Sequence, residues 1–219
     1  MAVSKLQRRN DSPNVVVLRW GHRPQRDVRL TTHVALTARA LCASGFILSD
    51  VEDKNIADTV RKITDRWGGT FKFEMGTSWR KAVEDWRVKG GVVVHLTAYG
   101  ENIQTSSVLD RIKGLKKDVL VLVGSQKVPF DFYSSDVSDF NVSVGNQPHS
   151  ECAALAVFLD RFFGGEELAK DFVGAKMRIV PSARGKKIKS EHCKTGDPEA
   201  RDKAFSQGTL GNDENNRRG

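Results

Sequence analysis

The stretch "DVLVLVGSQKVP" (Asp118–Pro129) decides how this chain is read. It is apolar at every position from Val119 to Val123, too short for a helix and bounded by turn residues. Such a run needs cover on both faces, which points to the interior of a parallel sheet. It then breaks at once into Gly124, Ser125, Gln126 and Lys127. In open α/β sheets, ligands bind beyond the carboxyl ends of the strands. One short segment therefore predicts both an architecture and a place for a site.

The same alternation extends in both directions. "VVVL" (Val15–Leu18), "FIL" (Phe46–Leu48), "TFKF" (Thr70–Phe73), "GVVVHL" (Gly91–Leu96), "FNVSV" (Phe140–Val144) and Lys176–Val180 read as further strands. Helices are expected over Thr32–Cys42, Asn55–Arg66, the segment capped by Ser78, Ile103–Lys113, and Glu151–Phe163 closed by Gly164–Gly165. The fold class is α/β, a mostly parallel sheet with helices on both faces. There is no internal repeat.

After "FNVSV" comes a second polar loop, Gly145-Asn146-Gln147-Pro148-His149-Ser150, leading into the apolar run "ECAALAVFLD" from Glu151. Gly124 and Gly145 let backbone approach a ligand or take positive φ. Pro129 and Pro148 stiffen the two loops, and the Ser150 hydroxyl can cap the following helix. Free N–H groups at that helix start favour a polar or anionic ligand group. The alternative is a pair of well-formed turns, but two at consecutive strand ends favour a ligand. Neither the Gly-rich dinucleotide fingerprint nor the P-loop pattern occurs, which argues against both classes.

The chain has 219 residues, 35 Lys and Arg against 27 Asp and Glu, and a formal charge of +8. That balance suits an anionic partner such as nucleic acid and equally suits plain solubility. Arg19, Arg23, Arg26 and Arg29 fall within eleven residues of "LRWGHRPQRDVRLTTHVALTARAL", together with His22, His33 and Arg39. Arginine suits bidentate phosphate contact. Thr31 or Thr32 can cap the helix there, placing His33 and Arg39 at separate accessible positions.

Cys42, Cys152 and Cys193 lie far apart without metal-ligand spacing, so small buried hydrophobes in a reducing setting are expected, and no metal. No apolar run reaches membrane-spanning length, and the start lacks a signal-peptide core, so a soluble cytoplasmic protein is expected. Residues 1–13 read as a polar leader, 14–175 as the α/β domain, 176–189 as a basic strand or hairpin, and 190–219 as a polar, disordered tail. Arg184, Lys186 and Lys187 join the first arginines as RNA-contact candidates.

"LRWGHRPQRD…TTHVALTARA", "VHLTAYG", "VLVGSQKVP" and "VGNQPHSECAALAVFLDR" together resemble the archaeal tRNA cytidine 2'-O-methyltransferases of the SPOUT superfamily, which modify the cytidine at tRNA position 56. The resemblance covers about Val15 to Lys187. It implies a C-terminal deep trefoil knot that binds S-adenosylmethionine, released as S-adenosylhomocysteine, and a homodimer acting on tRNA. The cofactor residues it implies are Leu96, Val123, Gly124, Ser125, Gln126 and Lys127, and then Val144, Gly145, Asn146, Gln147, Pro148, His149, Ser150 and Glu151. His33 and Arg39 match the catalytic motif. Two departures stand out: Leu41-Cys42 replaces the Phe-Gly of relatives, and Ser125-Gln126-Lys127 stands where the wider superfamily carries Glu. Rival readings are a superfamily enzyme for another tRNA position or base, or a non-catalytic RNA-binding module. A small-molecule hydrolase lacks any nucleophile–base arrangement.

Overall fold

The computed structural model describes residues 13–125 and 127–190. Apart from Pro13 and Ser190, the expected leader and tail lie outside the described residues, as do Gln126 and Cys193. The chain divides after Ala175 into two units.

In the first unit the strands are β1 (Val15–Trp20), β2 (Gly45–Leu48), β3 (Lys72–Met75), β4 (Val92–Asn102), β5 (Val119–Gly124) and β6 (Phe140–Ser143). They form one sheet in the order β3-β2-β1-β5-β4-β6, and every pairing is parallel. The helices are α1 (Val28–Ala40), α2 (Lys54–Trp67), α3 (Trp79–Val88), α4 (Val108–Gly114) and α5 (Glu151–Phe163). Short 3-10 helices follow at Phe130–Tyr133 and Glu166–Ala169.

Strand side chains alternate between two cores. Val15 and Val17 of β1 and Val119, Val121 and Val123 of β5 pack against residues of α1, α2, α4 and α5. Leu18, Leu120 and Leu122 face the other way, onto Trp79, Val83 and Phe132. Both faces are covered, so the central strands are apolar throughout.

Three boundaries differ from expectation for local reasons. Helix α1 starts at Val28, four residues early, with Asp27 at its N-cap position. The Asp27 carboxylate does not cap; it takes the Arg23 guanidinium at 2.7 and 3.0 Å. Thr31 is instead buried inside the helix, 2.9 Å from His22 Nδ1, and Thr32 Oγ1 donates back to Val28 O.

Helix α4 starts at Val108 rather than Ile103. Asn102 Oδ1 accepts from the Gln104 and Thr105 N–H groups, and Ser106 Oγ donates to Asn102 O, so 103–107 is turn. Cys42 lies beyond the helix end, since α1 closes at Ala40 with Leu41 as C-cap. By contrast Ser78 and Ser150 cap α3 and α5 as expected, accepting from Lys81 N and Ala153 N, and Gly164 ends α5 in the left-handed region.

Strand β4 is interrupted. Val142 of β6 pairs with both Leu96 and Glu101, so Thr97–Gly100 leaves the ladder and returns to it. The second unit contains β7 (Met177–Ile179) and β8 (Ile188–Ser190), paired antiparallel. Among the described residues no helix is long and apolar enough to cross a membrane.

Candidate functional site

The carboxyl ends of β4, β5 and β6 open into a cleft of about 360 Å³. Nine expected residues line it: Leu96, Val123 and Gly124 from β4 and β5, then Val144, Gln147, Pro148, His149, Ser150 and Glu151 from the loop before α5. Its inner walls are apolar (Leu96, Val123, Val142, Val144), while its rim carries exposed loop residues 147–150. That combination suits a flat ring inside and polar groups at the helix start. Ser125, Lys127, Gly145 and Asn146 do not line it; Asn146 Oδ1 instead accepts from Asn102 Nδ2 at 2.7 Å, holding the loop to the end of β4.

Sequence reasoning missed the wall contributed by the interruption of β4. Thr97, Ala98 and Tyr99 line the cleft, and Thr97 Oγ1 lies 3.1 Å from Tyr133 Oη. His95 is buried behind them, with Nδ1 2.9 Å from Asn141 Oδ1 and its ring edge-on to Phe132. Burial pushes its imidazole below the ordinary histidine range, opposed by the Asn141 hydrogen bond, so it is neutral at pH 7. A polar residue inside "GVVVHL" was the available signal.

Arg19, expected to contact RNA, is corrected: it is 0% exposed. Its Nη1 donates to Gly124 O at 2.7 Å and its Nη2 to Glu151 Oε1 at 3.2 Å. It therefore ties the end of β5 to the start of α5, both of which line the cleft. A guanidinium without exposed surface offers nothing to a phosphate. Arg23 pairs with Asp27; Arg26, Arg29, Arg184, Lys186 and Lys187 are exposed.

Arg39 is also corrected, from accessible to 6% exposed. The buried stripe of α1 runs through Thr31, Val34, Ala35, Ala38 and Arg39, the spacing of one helix face. Nε donates to Thr64 Oγ1 at 3.2 Å, Nη2 donates to Gly68 O, and the guanidinium lies over the Phe172 ring. Burial lowers its pKa from the usual arginine value.

Arg39 lines a different cavity, of about 580 Å³, at the amino end of the sheet beside Asn14, Ser44 and Phe71. A six-residue parallel strand such as β1 spans roughly 17 Å, and the two cavities lie at opposite ends of such strands. His33 is exposed on the α1 surface next to Cys152 of α5. Thus the structure gathers many of the loop residues at one cleft and places Arg39 in another cavity, while His33 stands on the α1 surface outside both. Burial raises the Cys42 and Cys152 thiols above their usual pKa, which keeps them protonated.

Residues 67–189 match the family described as tRNA ribose 2'-O-methyltransferase, aTrm56, and that segment contains every residue lining the cleft. The tRNA (cytidine(56)-2'-O)-methyltransferase of Staphylothermus marinus is 55% identical over 175 residues, 80% of this chain and 92% of that protein. This chain belongs to that family. The corresponding protein of Thermococcus kodakarensis is 51% identical over 177 residues, 80% of this chain and 96% of its own. A solved RNA 2'-O ribose methyltransferase shares the fold, with a TM-score of 0.51 at 14% identity, over 73% of this chain and 58% of the other. Among the described residues no cluster of His, Cys, Asp or Glu could hold a metal ion.

Proposed function

We propose that the protein transfers a methyl group from S-adenosylmethionine to the ribose 2'-hydroxyl of cytidine 56 in tRNA, in the cytoplasm. The observation that carries this reading is the 55% identity to a relative named for that reaction, with the family match spanning the whole cleft. The cleft fits the donor. Gly124 leaves room that a Cβ would fill, since that atom would fall 2.0 Å from Val128 Cγ1. Glu151, fixed on one side by Arg19, presents a carboxylate suited to a cationic group.

The donor supplies an activated methyl group on a sulfonium. The chain's residues hold the donor and the ribose in line and help the hydroxyl lose its proton. Orientation of this kind contributes about 7–11 kcal/mol in well-aligned systems. Arg39 is no conventional base, because a guanidinium stays charged. It stabilises the developing alkoxide and holds a neighbouring phosphate, which with water accepts the proton.

Arg39 and the cleft of one chain are too far apart for this, so the enzyme works as a homodimer. A two-fold axis across α1 and α5 turns the amino end of one sheet toward the carboxyl end of the other. The exposed Ala40, Ala153 and half-covered Val157, together with Leu36 and Cys152, make that face apolar. His33 lies on it and positions the substrate. Residues 14–175 form the catalytic domain and 176–189 a basic extension. The excursion of β4 and the close passage of Gly100 over Asn141–Val142 support a trefoil knot at 97–151. Arg26 and Arg29, with Arg184, Lys186 and Lys187, meet the tRNA backbone.

Incubating an unmodified tRNA transcript with labelled S-adenosylmethionine, followed by nuclease mapping, tests the reading. Label on the ribose of cytidine 56 is expected; label on a base or another nucleotide would replace it with a different enzyme of this superfamily. Absence of donor binding by calorimetry would leave an RNA-binding module.

A further inference from the structure

The larger cavity is lined by a carboxyl group that no hydrogen bond among the described residues answers. Glu167, in the 3-10 helix after α5, is 4% exposed and lines the cavity with Arg39. Among the described residues, both of its carboxylate oxygens are buried without a hydrogen-bond partner. Buried carboxylates are paired in native proteins, because losing water without gaining a donor is costly. The missing donors therefore belong to something that enters the cavity.

The lining describes that visitor. Arg39 and Lys170 supply positive charge, Glu167 supplies acceptors, and Phe71, Phe163 and Phe172 supply aromatic surface. A lone cation would not use Arg39, and a lone phosphate would be repelled by Glu167. A nucleotide satisfies all three, with phosphate or ribose oxygens at the arginine, a base against the aromatic rings, and base N–H donors at the carboxylate. The volume of about 580 Å³ falls within the range of small-ligand sites.

We propose that Glu167 selects the target base by accepting hydrogen bonds from the exocyclic amine of cytosine. Cytosine presents N4–H donors where uracil presents the O4 acceptor, so a carboxylate oxygen can accept from the one and meets a second acceptor in the other. This rests on the reading above that Arg39 meets the ribose to be methylated. The base pocket and the arginine then belong to one chain, and the methyl donor to its partner.

The experiment compares three transcripts, carrying cytosine, uracil or 2-pyrimidinone (cytosine without its amine) at position 56. With the wild-type enzyme, kcat/KM should fall by roughly 5- to 150-fold when the amine is removed, the usual discrimination of one base-edge contact. In E167Q, whose amide can also donate to O4, the preference for cytosine over uracil should shrink at least about tenfold. Equal wild-type rates on cytosine and 2-pyrimidinone would overturn the proposal without use of any variant. So would an active E167Q enzyme that keeps its preference. Failure of the wild type to methylate the cytosine transcript at all would defeat the broader reading, and this one with it.

Discussion

Cys42 adopts φ 64°, a left-handed conformation that costs an L-residue roughly 1–2 kcal/mol. The tight turn from α1 into β2 imposes that conformation. Cys42→Gly should therefore raise stability by up to about 1 kcal/mol, the strain relieved less the extra freedom of unfolded glycine. Urea unfolding checks it, and a lower midpoint would contradict the strain. Asp27 gives a second prediction at this scale. The Arg23 hydrogen bond holds its carboxyl below the usual carboxylate range, against the opposing effect of burial. Its contribution to stability is present above the unfolded pKa of about 3.9 and is lost as pH falls through the lower folded value. Arg23→Met should thus lower the urea midpoint at pH 6, with the gap to wild type closing as pH falls below about 4. A constant gap would show that the pair is not the cause. Neither residue's role could be read from spacing: Arg23 looked like a phosphate ligand, and its hydrogen bonds to Asp27 are visible only in the structure.

Among the elements, β4 departs furthest from its sequence pattern. "GVVVHL" has the continuous apolarity of a buried strand, and Val92–Leu96 behaves so. Thr97–Gly100 then leaves the sheet, and Gly100 passes so near β6 that an added Cβ would sit 2.5 Å from the Asn141 carbonyl and Val142 N. These are backbone atoms, which cannot turn aside as a side chain does. Gly100→Ala should destabilise the fold by about 1–3 kcal/mol, the scale of overpacking. It should also weaken S-adenosylmethionine binding, because Thr97, Ala98 and Tyr99 form a wall of the cleft. Thermal unfolding and calorimetry measure the two effects, and a variant with wild-type values in both would remove Gly100 from the account. Helix α5 shows the opposite case. Its serine cap, apolar run and closing glycine agree with one another, so its ends follow from local chemistry alone.

For the molecule as a whole, the separation of Arg39 from the cleft makes a prediction about mixtures. Arg39→Ala should lower turnover by at least about a hundredfold while leaving donor binding near normal, since its contribution is electrostatic. Gly124→Val should block the cleft through its contact with Val128. If each active site takes Arg39 from one chain and the cleft from the other, mixing the two inactive variants restores activity. Random exchange would make half the dimers mixed, each with one intact site, giving about a quarter of wild-type activity. A mixture that stays inactive after exchange has been verified would place both residues in one chain's site. The same comparison marks the limit of legibility. The loops after β5 and β6 were visible as ligand loops because a strand end followed by glycine and capping residues is a local pattern. That Arg39 stands at the opposite end of the sheet depends on how α1 runs back across it, which no local pattern records.

The sequence by itself determined the alternation of strands and helices, the parallel sheet covered on both faces, the serine caps of α3 and α5, and the loop before α5 that lines one side of the cleft. All of these rest on periodicity and turn chemistry within a few residues. Only the tertiary structure decided which arginines face water. Arg19 and Arg39 are buried because the strand and helix that carry them turn those positions inward, where carbonyl groups and Glu151 receive the charge. It also decided that Glu167 is left without a partner, a matter of what packs around a side chain rather than what precedes or follows it.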